Sequence, residues 1–176
     1  MSVNISPSHF LDKDIVSLIK SVIDKTGIAP GKLQLEVTEG VVQTDQENLS
    51  AFQDLKDLGV LLALDDFGTG YSSFASLKHL NVDCLKIDKY FVDGMLSDQK
   101  NLALISSMIE MGHNLGHKII AEGVETSEQL DIIKKLGCET AQGYLFSKPV
   151  ENDEIAHLLN SNFIVSRAIE PAFIPR

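Results

Sequence analysis

The sequence predicts an α/β fold built as a sector of a TIM-like (βα) barrel, on three observations. Short apolar runs recur along the chain, and each is followed by an amphipathic helical stretch. Six of these runs end in a carboxylate or amide: Asn4 in SVNIS, Glu36 in LQLEVTE, Asp65 and Asp66 in LLALDD, Lys86 and Asp88 in CLKID, Glu122 and Glu125 in IIAEGVE, and Gln142 in TAQGY. Within the runs, apolar and polar residues alternate, so one strand face is apolar and the other polar. A parallel sheet covered by helices on both faces would be apolar throughout. A polar inner face near the C-terminal strand ends is the mark of a barrel.

The first strand is read as Ser2–Ser6, followed by a helix over about Ser8–Lys25 that stops at Gly27. Pro30 and Gly31 mark a turn into the second strand, Lys32–Thr38. There Leu33, Leu35 and Val37 share one face, and Gln34, Glu36 and Thr38 the other. A helix over about Asp45–Leu58 closes at Gly59, and the third strand covers Val60–Asp65. The loop FGTGYSS then leads to a short helix near Phe74–Leu80, with Ser72 or Ser73 suited to cap it. Cys84–Asp88 is the fourth strand, with Leu85 and Ile87 opposite Lys86 and Asp88. The remaining helices fall at about Asp98–Leu115, Ser127–Leu136 and Asn152–Leu159, and the remaining strands at Lys118–Glu122 and Thr140–Leu145. Residues 1–161 read as one domain and 162–176 as a tail without a clear assignment. Each βα unit implies a parallel neighbour.

Composition narrows the function. With 176 residues and 44% hydrophobic content, one domain with a real core is expected. A net charge of −10 argues against binding along DNA or RNA, which needs a basic face. No apolar run is long enough to span a membrane, and Met1 leads straight into VNISPSHF without a secretory leader, so a cytoplasmic setting is expected. Cys84 and Cys138 fit reduced thiols. His113 and His117 stand four apart, but Gly116 interrupts the helix between them and no HExxH pattern occurs, so zinc is not expected there. FGTGYSS lacks the glycine spacing and lysine of a classical nucleotide loop.

Converging carboxylates repel one another and do not all stay ionised side by side without a cation. The polar set therefore points to a divalent metal site, with more than one ion, through which an anionic ligand can bind. Mg²⁺ or Mn²⁺ suits an all-oxygen site that keeps water ligands.

The stretches VNISP, LEVTE, LALDDFGTGYSS, LKIDKYFV, IIAEGVET and QGYLFSKP, in this order, closely resemble the EAL-domain family of cyclic-di-GMP phosphodiesterases. The resemblance covers the chain to about Pro149. It implies metal-dependent hydrolysis of cyclic-di-GMP to the linear dinucleotide. By resemblance Asn4, Glu36 and Asp65 bind a first metal. Asp65 and Asp66 hold a second, with Glu122 close to it and Glu125 in support. Lys86 would position the attacking water and offset phosphoryl charge, and Gln142 and Asp88 would support the site. Glu39 would anchor the FGTGYSS loop, to which Gly68 and Gly70 give backbone freedom. The family also implies a possible homodimer and upstream sensory or regulatory domains.

One feature departs from the family. Its namesake Glu-Ala-Leu tripeptide, whose Glu is a metal ligand, does not occur here. The chain starts at the strand carrying Asn4, so about six of eight βα units are expected, with the Asn4 and Gln142 strands as unpaired edges. The isolated chain is then expected to self-associate or to be marginally stable. Three functional classes stay open: an enzyme or the larger part of one, a non-catalytic cyclic-di-GMP-binding or protein-interaction module, and a truncated product without independent function.

Overall fold

A computed structural model describes residues 1–10, 12–41, 46–70, 77 and 80–160 of the chain. Six strands form one sheet: β1 (Ser2–Ile5), β2 (Gln34–Thr38), β3 (Leu61–Phe67), β4 (Cys84–Ile87), β5 (Lys118–Ala121) and β6 (Thr140–Ala141). Every adjacent pair is parallel, and the spatial order is the order of sequence. A doubly wound sheet reverses its strand order part-way, whereas a barrel does not. The fold is a TIM-like barrel sector whose sheet is not closed, with β1 and β6 at its ends.

Among the described residues the helices include α1 (Pro7–Phe10), α2 (Ile15–Thr26), α3 (Gln46–Asp57), α4 (Lys89–Gly94), α5 (Gln99–Asn114), α6 (Ser127–Lys135) and α7 (Asn152–Asn160). Local chemistry sets their ends. The Asp98 carboxylate accepts from Lys100 N at 2.8 Å and starts α5. Thr126 and Gln129 form a reciprocal capping box at the start of α6. Gly27 takes a left-handed conformation, φ 68°, and its N–H closes α2 onto Ile23 O.

Alternation divides the strands as the sequence implies. Leu35, Val37, Leu62, Leu64, Leu85, Ile87, Ile119 and Ala121 form the buried face beneath the helices. Helix α5 sits close on it because Gly112 has no side chain; a Cβ there would meet Ile119 Cδ1. Phe10, Phe52, Leu55, Ile105, Ile109 and Ile133 complete the core. Asp83, just before β4, ties three elements together: it pairs with Lys56 of α3 at 2.5 Å and accepts from Leu62 N of β3 at 2.7 Å.

Several details differ from the sequence reading, among them the third strand, which runs over Leu61–Phe67 rather than Val60–Asp65. The single helix expected over Ser8–Lys25 is two, because Asp12 folds back to accept from Asp14 N and breaks the first turn from the second. Helix α4 was not expected; the Asp88 carboxylate starts it by accepting from Tyr90 N at 2.8 Å. The sixth strand stops at Ala141 rather than Leu145, where the chain turns so that Leu145 N reaches Val124 O. A 3₁₀ turn over Pro30–Lys32 delays the second strand to Gln34. The short helix near Phe74–Leu80, with its proposed caps Ser72 and Ser73, and the tail 162–176 lie outside the described residues, except that Leu77 and Leu80 are buried.

Leu85→Ala is expected to destabilise the fold by about 2–5 kcal/mol, since it opens a cavity between β4 and α5. Leu104→Ala on the exposed side of α5 is expected to change stability by about 0.5 kcal/mol or less. Urea unfolding of both variants checks this; equal effects would refute the assignment of faces.

Candidate functional site

The inner face of the sheet carries the polar residues, and they meet at Lys86. From the middle of the sheet, on β4, its ammonium lies 2.6 Å from Glu36 Oε2 on β2, 2.9 Å from Asp65 Oδ1 on β3 and 2.7 Å from Glu122 Oε1 just after β5. Lys86 is 2% exposed and Glu36 6%. The four come together because β2 to β5 are consecutive neighbours and their inward positions fall at similar heights: Glu36 pairs in register with Ala63, and Lys86 with Ile120. Asn4 lies beside Glu36 in the β1–β2 register, with an exposed side chain.

Simple alternation would send Asp65 and Asp66 to opposite faces. The ladder between β3 and β4 instead slips after Leu64, and Asp66 adopts φ 56°, uncommon for a residue with a side chain. The irregularity lets both carboxylates serve one site. Oxygens of Asp65, Asp66 and Glu122 come within 4.8 Å of one another.

Electrostatics reflect the crowding. Burial disfavours the Lys86 ammonium, but hydrogen bonds to Glu122, Glu36 and Asp65 outweigh it and hold its pKa above the usual lysine range. Glu122 is raised by burial and by the charges of Asp65 and Glu36, against the pull of Lys86. Asp66 is raised by burial and by the charges of Asp65 and Asp88. Among the described residues, four carboxylates thus lie around the Lys86 ammonium, more acidic groups than its single charge can offset.

The supporting residues occupy defined places. Asp88 stands beside Asp66 while capping α4. Glu125 pairs with Lys89 at 2.8 Å, and its N–H donates to Gln129 Oε1. Gln142 is held by its backbone, donating to Ala121 O and accepting from Val124 N, and lines a cleft of about 260 Å³ with Glu122, Glu125, Lys89 and Tyr144. Glu39 is buried in a 3₁₀ turn after β2, where Oε2 accepts from Gly70 N at 2.9 Å. Gly68 has φ 95°, as backbone freedom requires, and also leaves room for Phe91 and Met108. Gly70 supplies space as well, since a Cβ there would lie 2.6 Å from Glu39 Oε2.

The sequence reading passed over three neighbours. Gln34 donates from Nε2 to Glu36 Oε1 at 3.3 Å; its shared face with Glu36 was the available signal. Lys89 and Tyr144 directly follow Asp88 and Gly143, but strand alternation does not reach them because both lie beyond strand ends. Cys84 and Cys138 are free and buried, and burial pushes both thiols up to about 11, as inert thiols require. His113 pairs with Glu139 at 2.9 Å, while His117 is buried with Nδ1 2.9 Å from Val82 O, so the two rings have separate partners. Among the described residues no helix is long and apolar enough to cross a membrane.

This chain belongs to the EAL domain family, which matches residues 1–149. The cyclic di-GMP phosphodiesterase NbdA of Pseudomonas aeruginosa is 37% identical over 151 residues, covering 85% of this chain and 19% of NbdA. The solved structure of the EAL enzyme Bd1971, with cAMP and cyclic-di-GMP bound, matches with a TM-score of 0.89 and 35% identity over 92% of this chain and 43% of that one. Klebsiella pneumoniae BlrP1, in a complex with manganese and cyclic-di-GMP, matches with a TM-score of 0.77 and 31% identity over 84% of this chain and 38% of that one. The chain spans about a fifth of the length of the curated relatives it matches.

The raised carboxylates make stability depend on pH. The folded protein holds protons on Glu122 and Asp66 more tightly than the unfolded chain does, so stability is expected to fall as pH rises from the ordinary carboxylate range through their raised pKa values in the presence of a chelator. Glu122→Gln and Asp66→Asn should each flatten that decline. Thermal melts across the range check it; a decline of the same slope in both variants would place the titration elsewhere.

Proposed function

We propose that this chain forms the larger part of a domain that hydrolyses cyclic-di-GMP to the linear dinucleotide with Mg²⁺ or Mn²⁺. One observation carries the reading: Glu36, Asp65 and Glu122 converge within hydrogen-bond distance of Lys86, with Asp66 beside them. The donor set fits hard divalent cations. It is all oxygen, it carries excess negative charge, and the Asp65, Asp66 and Glu122 oxygens span a distance that one ion can bridge after small shifts. The relatives named for cyclic di-GMP and the manganese complex of BlrP1 support the same assignment.

On this reading Asn4, Glu36 and Asp65 would hold one ion, and Asp65, Asp66 and Glu122 would hold a second. Ions of this kind, when bound, acidify water and neutralise charge on both sides of an in-line displacement at phosphorus. Lys86 orients the attacking water and faces the phosphoryl oxygens. Asp88 holds Asp66 in place beside α4. Glu125, tied to Lys89, fixes the turn that carries Glu122, and Gln142 directs its amide into the cleft over the site. Glu39, through Gly70, sets the loop that follows Asp66. The catalytic domain extends over 1–161, with 162–176 as a tail, in a cytoplasmic protein that forms homodimers and carries sensory or regulatory domains upstream.

The first ion is short of one ligand in this chain, because no Glu-Ala-Leu tripeptide occurs among the 176 residues. The same shortage favours a second reading, in which the chain binds cyclic-di-GMP without cleaving it. Incubation of the 176-residue chain with cyclic-di-GMP and Mg²⁺ or Mn²⁺ should give negligible linear product by chromatography. Adding a segment that bears the Glu-Ala-Leu strand, in cis or as a complementing fragment, should restore turnover. Asp65→Asn or Lys86→Ala should then lower it again by about 10²–10⁴-fold. Robust turnover by the 176-residue chain itself would refute this account of the site, and binding that persists without turnover after complementation would favour the second reading.

A further inference from the structure

A lysine ammonium has three N–H donors and no acceptor. In this structure the three partners of Lys86 are Glu36, Asp65 and Glu122, at 2.6, 2.9 and 2.7 Å. They are enough to engage every donor, and the residue is buried. Work on a water or a phosphoryl oxygen asks for an N–H released from one of these carboxylates. Asp65 and Glu122 are also two of the three groups, with Asp66, whose oxygens cluster within 4.8 Å. The same carboxylates therefore suit two different cations, the lysine's and a divalent ion's.

We infer that Lys86 is an internal competitor for the divalent ions: its ammonium gathers Glu36, Asp65 and Glu122, and an ion that takes one of these carboxylates frees a Lys86 N–H for substrate chemistry. The inference rests on the metal-dependent reading above. A divalent ion brings twice the charge to the carboxylates but repels an ammonium only a few ångströms away. The two bindings are thus linked, and each weakens the other by the same factor. Lys86 holds the carboxylates in place at low ion levels, lowers ion affinity, and becomes available for the reaction as the ions bind. Its position, and not only its charge, then depends on ion loading.

The test uses Mn²⁺ alone with the 176-residue chain, following free Mn²⁺ by electron paramagnetic resonance. Lys86→Met keeps the length and removes the charge, and should bind Mn²⁺ at least about tenfold more tightly. Lys86→Arg keeps the charge and should stay near the unsubstituted chain. Equal or weaker binding by Lys86→Met overturns the inference alone, and no binding by any of the three proteins overturns the metal reading with it. A second measurement needs no substitution and decides the matter if Lys86→Met fails to fold. The buried ammonium should give a slowly exchanging lysine Nζ signal by NMR, which Mg²⁺ should shift or broaden in step with the Glu122 amide. A Glu122 amide that moves while the ammonium signal stays fixed overturns the inference.

Discussion

The Lys86 ammonium sets the terms for the rest of the molecule. A charge buried inside a sheet is costly unless every polar neighbour is paired. Here the partners come from β2, β3 and the end of β5, so the pairing fixes the relative heights of four strands. The apolar face beneath the helices gives the sheet its cohesion but does not specify which carboxylates meet. That is decided on the opposite face, where Gln34, Glu36, Asp65, Lys86 and Glu122 form one hydrogen-bonded and ion-paired group. The layers divide the labour: packing holds the barrel sector, and electrostatics selects its register.

The excess of carboxylate over ammonium is a second constraint. Evolution could have neutralised it with another lysine. Instead the strand carrying Asp65 is broken out of its regular pairing so that a further carboxylate joins the group. A non-glycine residue at φ 56° is held there only when its surroundings over-determine it, as strained positions at functional sites are. The loop that follows is seated by buried Glu39 through Gly70, and Gly68 lies against Phe91 of α4 and Met108 of α5. Strain at Asp66 is thus bracketed on both sides by packed structure.

Much of this was legible in the sequence. Strand type and order followed from apolar runs with period two and from glycines at helix ends, and the facing of Glu36 and Lys86 followed from alternation alone. The family resemblance supplied the grouping of Asp65 with Asp66, which alternation denies, because a ladder irregularity is a tertiary adjustment with no local periodic signal. Helix α4 has no periodic signal because its start depends on the Asp88 side chain serving as a cap, whereas alternation places Asp88 in the strand. The sixth strand is shorter than its residues imply because the chain leaves the sheet where Gly143 passes close to Val124, a contact made by residues nineteen positions apart. Only coordinates reveal that the missing side chain of Gly70 makes room for Glu39.

The strand order has a consequence for how the chain acquires its structure. Each strand pairs with the one made before it, so the sheet can lengthen in the order of synthesis. Lys86 emerges after Glu36 and Asp65 and can bury its charge against them at once, across separations of fifty and twenty-one residues. Glu122 arrives later, with α4 and α5 lying between it and Lys86. Two of the carboxylate partners of Lys86 thus precede it in the chain and one follows, with β6 and Gln142 later still. Long-range pairing of this kind slows folding, and the Lys86–Glu36 pair must close a separation of fifty residues before the buried charge is matched.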